Sequence, residues 1–186
     1  MNHKKPLDGI KVIEISTIIT ASFSAMMLAD QGAEVIKIEQ TGFGDPLRYL
    51  GTQKGGISAI FANTNRGKSS VELDLKKEQD LHLAKKLIST ADVLINNFRP
   101  GVMDSLGLGK EECKKLNKDL IHVSISGFGK EGPFSSSPAY DPVVQAMSGA
   151  TAIQSDAEQP KYMKTLLCDK ITAYTATQSI LSLIHI

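Results

Sequence analysis

The chain has 186 residues, 41% hydrophobic and 22% charged, the balance of an ordinary globular protein with a real core rather than a disordered or fibrous segment. A net charge of +1 removes any global electrostatic case for nucleic acid or an anionic membrane, so a bound anion must be held by local groups. Two cysteines, four scattered histidines and no CxxC argue against a disulfide framework and against a metal centre.

The N-terminal "MNHKKPLDGIKVIEIS" carries basic residues, but Lys11 and Glu14 break its apolar run. It is neither a signal peptide nor a membrane span, and a cytoplasmic protein is expected. "IKVIEIS" (10–16) is rich in β-branched residues and reads as a strand, followed by the helix "SFSAMMLADQGA", stopped by Gly32. "EVIKIE" (34–39) is the next strand, then come the Gly/Pro-punctuated "QTGFGDPLRYLG", "GISAIFANTNRGKSS" and the strand "VELDL" (71–75). In "KKEQDLHLAKKLISTA", Leu81, Ala84, Leu87 and Ile88 share one helical face opposite the charges. "DVLINN" (92–97) is a strand, "GVMDSLGL" and "KEECKKLNK" are short helices, and "LIHVSIS" (120–126) is a further strand. Strand and helix alternate, which predicts an α/β domain: a Rossmann-like, mainly parallel sheet with helices on both faces. "TAYTATQSILSLIHI" is still in helical rhythm where the sequence stops, as expected of a truncated chain.

Chemistry in such sheets collects at the loops leaving the carboxyl ends of the strands. "GFGKEG" (127–132) has the glycine spacing of a dinucleotide fingerprint, but Pro133, three serines and Pro138 follow where a helix would have to open, so nicotinamide binding is not expected. "NTNRGKSS" sets Arg66 and Lys68 around Gly67, equally a solvated turn or a phosphate clamp. "NNFRPG" offers Asn97, Phe98 and Arg99 at a strand end, with amides to hydrogen-bond and a ring on which an adenine could stack. In "KTLLCDKITAYTATQSIL" the lone acid, Asp169, opens an apolar helix, either as its N-cap or as a nucleophile that the helix N-terminus holds ionised. Cys168 has no histidine nearby in sequence and reads as a structural thiol.

Taken in order, "LDGIKVIEIS", "MLADQGAEVIKIE", "GDPLR", "NTNRGKSSVELDL", "ADVLINNFRPG", "VSISGFGKEGP", "AYDPVVQAMSG" and Asp169 resemble the family III CoA-transferases, from Leu7 to about Leu181. The resemblance implies the N-terminal portion of a Rossmann-like large domain in residues 1–186, with the small domain and C-terminal part absent, and a homodimer of interlocked chains. It implies transfer of coenzyme A from an acyl-CoA to a carboxylic acid, with Asp169 as the nucleophile that forms a mixed anhydride and then an aspartyl-CoA thioester. Arg66, Lys68, Asn97, Phe98, Arg99 and Tyr140 are the implied contacts to CoA, which is substrate rather than a permanent cofactor; no metal, nucleic acid or membrane is implied. The related 2-methylacyl-CoA racemases carry a His-Asp pair where this chain has Tyr140-Asp141. A tyrosine phenol is a poor base for carbon deprotonation at neutral pH, which favours transfer over racemisation. A non-catalytic CoA-binding fragment is the remaining alternative. The chain departs from many transferases in having "TAS" (20–22) in place of Ala-Gly-Pro, and it lacks the family's later glycine-rich loop.

Overall fold

The computed structural model describes residues 4–156 and 159–186. In chain order the elements are β1 (Lys11–Ile15), α1 (Thr20–Asp30), β2 (Glu34–Glu39), a 3-10 turn (Pro46–Tyr49), the short strands β3 (Gln53–Lys54) and β4 (Ile57–Ser58), α2 (Ala59–Asn65), β5 (Ser69–Glu72), α3 (Glu78–Ser89), β6 (Val93–Asn96), α4 (Val102–Ser105), α5 (Lys110–Leu116), β7 (Ile121–Ser124), α6 (Asp141–Met147), α7 (Ala150–Gln154) and α8 (Leu167–Ile184). Five strands form one parallel sheet in the order β5-β2-β1-β6-β7, and β3 pairs with β4 in a separate antiparallel ribbon.

Side chains of a strand alternate between faces, and both faces of this sheet are covered. On one face Val12, Val35, Val93 and Ile95 pack against Ala21, Ala25 and Leu28 of α1 and Ile180 of α8. On the other, Ile13, Ile15, Ile38 and Leu94 meet Ala84 and Ile88 of α3 and Cys113 of α5. Each fully buried Ile or Leu contributes about 1.5–3 kcal/mol relative to its exposed state. The buried hydroxyls Ser24 and Thr177 satisfy each other at 2.9 Å where α1 crosses α8. The helix α3 follows its sequence pattern, with Ala84 and Ile88 buried and Lys85 and Lys86 left outside that core.

Three boundaries differ from the sequence reading. β5 covers Ser69–Glu72 rather than 71–75, because the pairing with β2 runs from Ile36↔Ser69 to Glu39↔Glu72. The chain then turns at Asp74, whose carbonyl accepts the Lys77 N–H. α1 begins at Thr20, and α8 begins at Leu167, two residues before the acid that seemed to open it. No helix opens between β7 and Asp141, in keeping with the prolines of that segment. β1 and β6 are neighbours whose onward connections go to opposite sides of the sheet, β1 through α1 to β2 and β6 through α4 and α5 to β7. This is a topological switch point, where a crevice opens beyond the strand ends. No helix among the described residues is long and apolar enough to cross a membrane.

Candidate active site

A cavity of about 640 Å³ lies beyond the ends of β1 and β6. Its walls are the β1–α1 loop, the segment around Leu47 and Leu50, the stretch Asn97 to Pro100 after β6, parts of the loop after β7, and the starts of α6 and α8. Asp169, Asn97, Phe98, Arg99 and Tyr140 all line it, so the fold brings together residues from Asn97 to Asp169. Arg66 and Lys68 are not among the lining residues.

Asp169 occupies the first turn of α8 and is half-buried. Its Oδ1 accepts a hydrogen bond from Thr20 Oγ1 at 2.6 Å, and among the described residues its Oδ2 accepts none. It is not the helix cap. Asp141, buried at the start of α6, does that work across the cavity: its Oδ1 accepts the N–H groups of Cys168 at 2.6 Å and of Asp169 at 3.1 Å. Gln145 Nε2, one turn along α6, donates to Asp141 Oδ2 at 2.5 Å and keeps that carboxylate in place. The expectation that the helix N-terminus holds Asp169 ionised is corrected here. Burial pushes its carboxyl above the ordinary aspartate value, the Thr20 hydrogen bond offsets part of that rise, and the Asp141 charge adds to it. The helix donors that would have lowered it are already taken by Asp141.

Asn97 is a clamp on the β1–α1 loop: its Oδ1 accepts the Thr17 N–H at 3.0 Å and its Nδ2 donates to the Thr17 carbonyl at 2.7 Å. Phe98 is partly buried against the α3 side of the core. Arg99 is exposed at the rim and is the one Lys or Arg among the described residues that lines the cavity. Tyr140 is 69% exposed, and no histidine among the described residues lines the cavity. Cys168 is partly buried, and burial together with Asp141 and Asp169 raises its thiol pKa, which disfavours the thiolate.

The pairing of Arg66 with Lys68 as a phosphate clamp dissolves in the fold. The Arg66 guanidinium forks onto Asp30 at the exposed end of α1, with Nε 3.1 Å from Oδ1 and Nη2 2.5 Å from Oδ2. The Lys68 side chain is only 2% exposed and donates to Glu14 Oε2, the Ser22 carbonyl and Asn65 Oδ1, leaving an ammonium with no donor to spare. Beneath the β1–α1 loop these groups form a buried network. Lys37 lies 2.6 Å from Glu14 and 2.9 Å from Asp45, with Ser16 and Ser22 hydroxyls also bound to Glu14. Burial by itself would raise Glu14, but Lys37 and Lys68 outweigh it and hold the carboxyl at about 2. Burial pushes Lys68 down to about 8, against the pull of Glu14.

Sequence reasoning missed Thr20, Asp141 and the buried network as parts of one site. The alternation in "IKVIEIS" and "EVIKIE" placed Glu14 and Lys37 in strands without showing that they share the α1 face. That follows only from the parallel register, in which Glu14 is opposite Lys37.

A family model for CoA-transferase family III matches residues 7–185. The chain is 48% identical over 146 residues to the acetyl-CoA:oxalate CoA-transferase of Acetobacter aceti, covering 78% of this chain and 38% of that protein. It is 35% identical over 181 residues to human succinyl-CoA:glutarate CoA-transferase, covering 95% of this chain and 41% of the relative. Among solved structures, a CAIB/BAIF family protein from Brucella suis superposes with a TM-score of 0.92 at 34% identity, over 98% of this chain and 50% of that one. Rv3272 from Mycobacterium tuberculosis gives 0.92 at 35% identity, over 99% and 52%. The chain thus spans about half the length, or less, of these relatives. With a parallel sheet of the same shape and a match over nearly its whole length, the chain belongs to CoA-transferase family III.

Proposed function

We propose that the chain is the N-terminal portion of the large domain of an enzyme that moves coenzyme A from an acyl-CoA to a carboxylic acid, with Asp169 as nucleophile. The observation that carries this reading is the Asp169 carboxylate itself: Oδ1 is tethered to Thr20 while Oδ2 accepts no hydrogen bond among the described residues, in a cavity at the sheet's switch point. A tether on one oxygen orients the other for attack. The raised pKa leaves a carboxylate that is more basic than an exposed one.

Oδ2 attacks the thioester carbonyl, the C–S bond breaks, and an acyl–aspartyl anhydride and CoA thiolate result. The thiolate attacks the aspartyl carbonyl, forming aspartyl-CoA and releasing the donor acid. The acceptor carboxylate attacks aspartyl-CoA, expelling the thiolate and making a second anhydride. Thiolate attack on its acyl carbonyl yields the new acyl-CoA and restores Asp169. Each tetrahedral intermediate needs donors at its oxyanion. The Thr20 N–H supports that role: Thr20 lines the cavity, its hydroxyl meets Asp169, and its N–H bonds to no group among the described residues. Asn97, Phe98, Arg99 and Tyr140 line the same cavity and are the CoA contacts of this reading. CoA is substrate, with no permanent cofactor, in a cytoplasmic homodimer. The exposed Met147, Ile153, Ile171 and Leu183 on α6–α8 support a face covered by the remainder of the protein or a second copy. The relatives' names support the reaction class, acyl-CoA to acid, without specifying this enzyme's acids.

The test is covalent trapping on the full-length protein. With acyl-CoA bound, hydroxylamine should convert Asp169 to the hydroxamate and borohydride should reduce the aspartyl-CoA thioester to the alcohol, both located by peptide mass mapping. Asp169→Asn should abolish both products and lower transfer by orders of magnitude, whereas Cys168→Ser should cost little. An Asn variant that transfers CoA at a near-normal rate removes Asp169 from the chemistry.

A further inference from the structure

We propose that Asp45 is a positioning residue for the transfer reaction: its carboxylate holds Ile18 in a left-handed backbone conformation and so aims Thr20 and the first turn of α1 at Asp169. The inference rests on the reading of Asp169 as nucleophile. Ile18 has φ = 67° and is the one non-glycine residue with positive φ among the described residues. A β-branched side chain disfavours that region strongly, and such outliers persist only where neighbours over-determine them. Two side chains do so here. Asn97 brackets Thr17 through both its N–H and its carbonyl. Asp45 Oδ1 accepts the Ile18 N–H at 3.0 Å and the Leu47 N–H at 2.9 Å.

Asp45 is itself immobilised. It is 1% exposed, its Oδ2 lies 2.9 Å from Lys37 Nζ, and its own N–H donates to Glu39 Oε2 at 2.8 Å. Lys37 is pinned in turn by Glu14. The strained residue is thus bolted to a buried ionic network on one side and lines the active-site cavity on the other. Ile19 follows as the N-cap of α1, and Thr20, the first helical residue, hydrogen-bonds Asp169. A relaxed φ at Ile18 would redirect the chain one residue before that cap. The Thr20 hydroxyl would then leave Asp169. The fold would survive such a change better than the chemistry.

The test uses the full-length protein and the rate of hydroxylamine trapping at Asp169 with acyl-CoA bound. Asp45→Ala removes the acceptor for Ile18, whereas Asp45→Asn keeps a carbonyl there. Both are also made with Lys37→Met, which removes the ammonium that Asp45 would leave with Glu14 alone as its ionic partner, while Glu14 keeps Lys68. Asp45→Ala should slow trapping about a hundredfold, the scale of an ångström-sized misplacement, with acyl-CoA affinity changed less than about twofold. Asp45→Asn should recover most of that loss. Adding Ile18→Gly to Asp45→Ala should recover part of it, because glycine takes positive φ without strain. Equal trapping by Asp45→Ala and the unaltered protein, or equal losses in the Ala and Asn variants, overturns the inference. If the unaltered protein traps nothing, the nucleophile reading falls, and crystal structures decide the loop: Ile18 must abandon positive φ in Asp45→Ala and keep it in Asp45→Asn. Should the Asp45 variants not fold, Ile18→Gly against Ile18→Ala decides it. Both remove the side chain and only glycine relieves strain, so Ile18→Gly must melt higher, and equal melting refutes the claim.

Discussion

Replacing Asp141 separates two jobs that one carboxylate performs. Its Oδ1 caps α8 through Cys168 and Asp169, its Oδ2 accepts from Gln145, and its charge raises the carboxyl of Asp169. Asp141→Ala strands two first-turn N–H groups, a cap loss of about 1 kcal/mol, and leaves polar groups underbonded in a buried place for about 1–2 kcal/mol more. The Gln145 Nε2 keeps only long bonds, 3.4 Å to the Met163 carbonyl and 3.3 Å to that of Thr165, so that donor recovers little. A loss of about 2–3 kcal/mol lowers Tm by roughly 6–9 °C in a domain of this size. Asp141→Asn keeps a carbonyl for both α8 donors and loses the bond to Gln145, where two amide NH₂ groups would meet. That costs about 1 kcal/mol, or roughly 3 °C. Both variants remove the charge, so the raised pKa of Asp169 should fall in both, measured by carboxyl-carbon NMR or by the pH dependence of trapping. A carboxyl with a raised folded pKa gives stability that is fully present below the unfolded value and lost as pH rises through the folded value. The stability gap between either variant and the unaltered protein should therefore narrow as pH rises from the acid range to neutrality. Equal Tm losses for Ala and Asn would remove the capping role, and an unmoved Asp169 pKa in both would remove the electrostatic one.

Further predictions concern the buried network and the cavity rim. Lys68→Met breaks a buried pair with Glu14 and should cost about 3 kcal/mol in urea unfolding, whereas a loss below about 1 kcal/mol would mean that Lys37 alone suffices. Glu14 and Glu39 sit at about 2 against an ordinary 4.5, the latter because hydrogen bonds from Arg48 and Ser70 outweigh its burial. Their stabilisation is present above pH 4.5 and drains away as pH falls toward 2, so Tm should drop steeply across that window, and a flat profile would contradict the pairing. Arg99→Ala should weaken CoA binding about tenfold by calorimetry, roughly 1.4 kcal/mol. Arg66→Ala should leave it within about twofold and cost less than about 1 kcal/mol of stability, since its partner Asp30 is an exposed ion pair. The reverse order of affinities would return the phosphate site to Arg66.

The amino-acid sequence by itself determined the alternation of strands and helices, the parallel sheet and the family. Those rest on local periodicity: "IKVIEIS" and "DVLINN" can be little but buried strands, and the face of "KKEQDLHLAKKLISTA" shows its apolar side in the spacing alone. Loop composition brought Asn97, Phe98 and Arg99 forward together with Arg66 and Lys68, and the resemblance added Tyr140 and the role of Asp169; the fold sets Arg66 and Lys68 apart from the cavity that the others line. What only the tertiary structure decided is how charges are shared between segments far apart in the chain. Lys68 reads as an exposed cation beside a glycine, and becomes a buried partner of Glu14 because β5 lies beside β2 and α1 closes over that face. In sequence Asp169 could equally be a helix cap or a nucleophile; Asp141, 28 residues earlier, caps the helix and frees Asp169 to meet Thr20. Ile18 carries no sequence signal for a left-handed turn, since a β-branched residue is among the last expected there, and it takes that conformation only because Asp45 and Asn97 converge on its loop. Periodicity reports which face of an element is apolar. It carries no information about which distant donor meets which acceptor, and in this site those meetings determine where each charge resides.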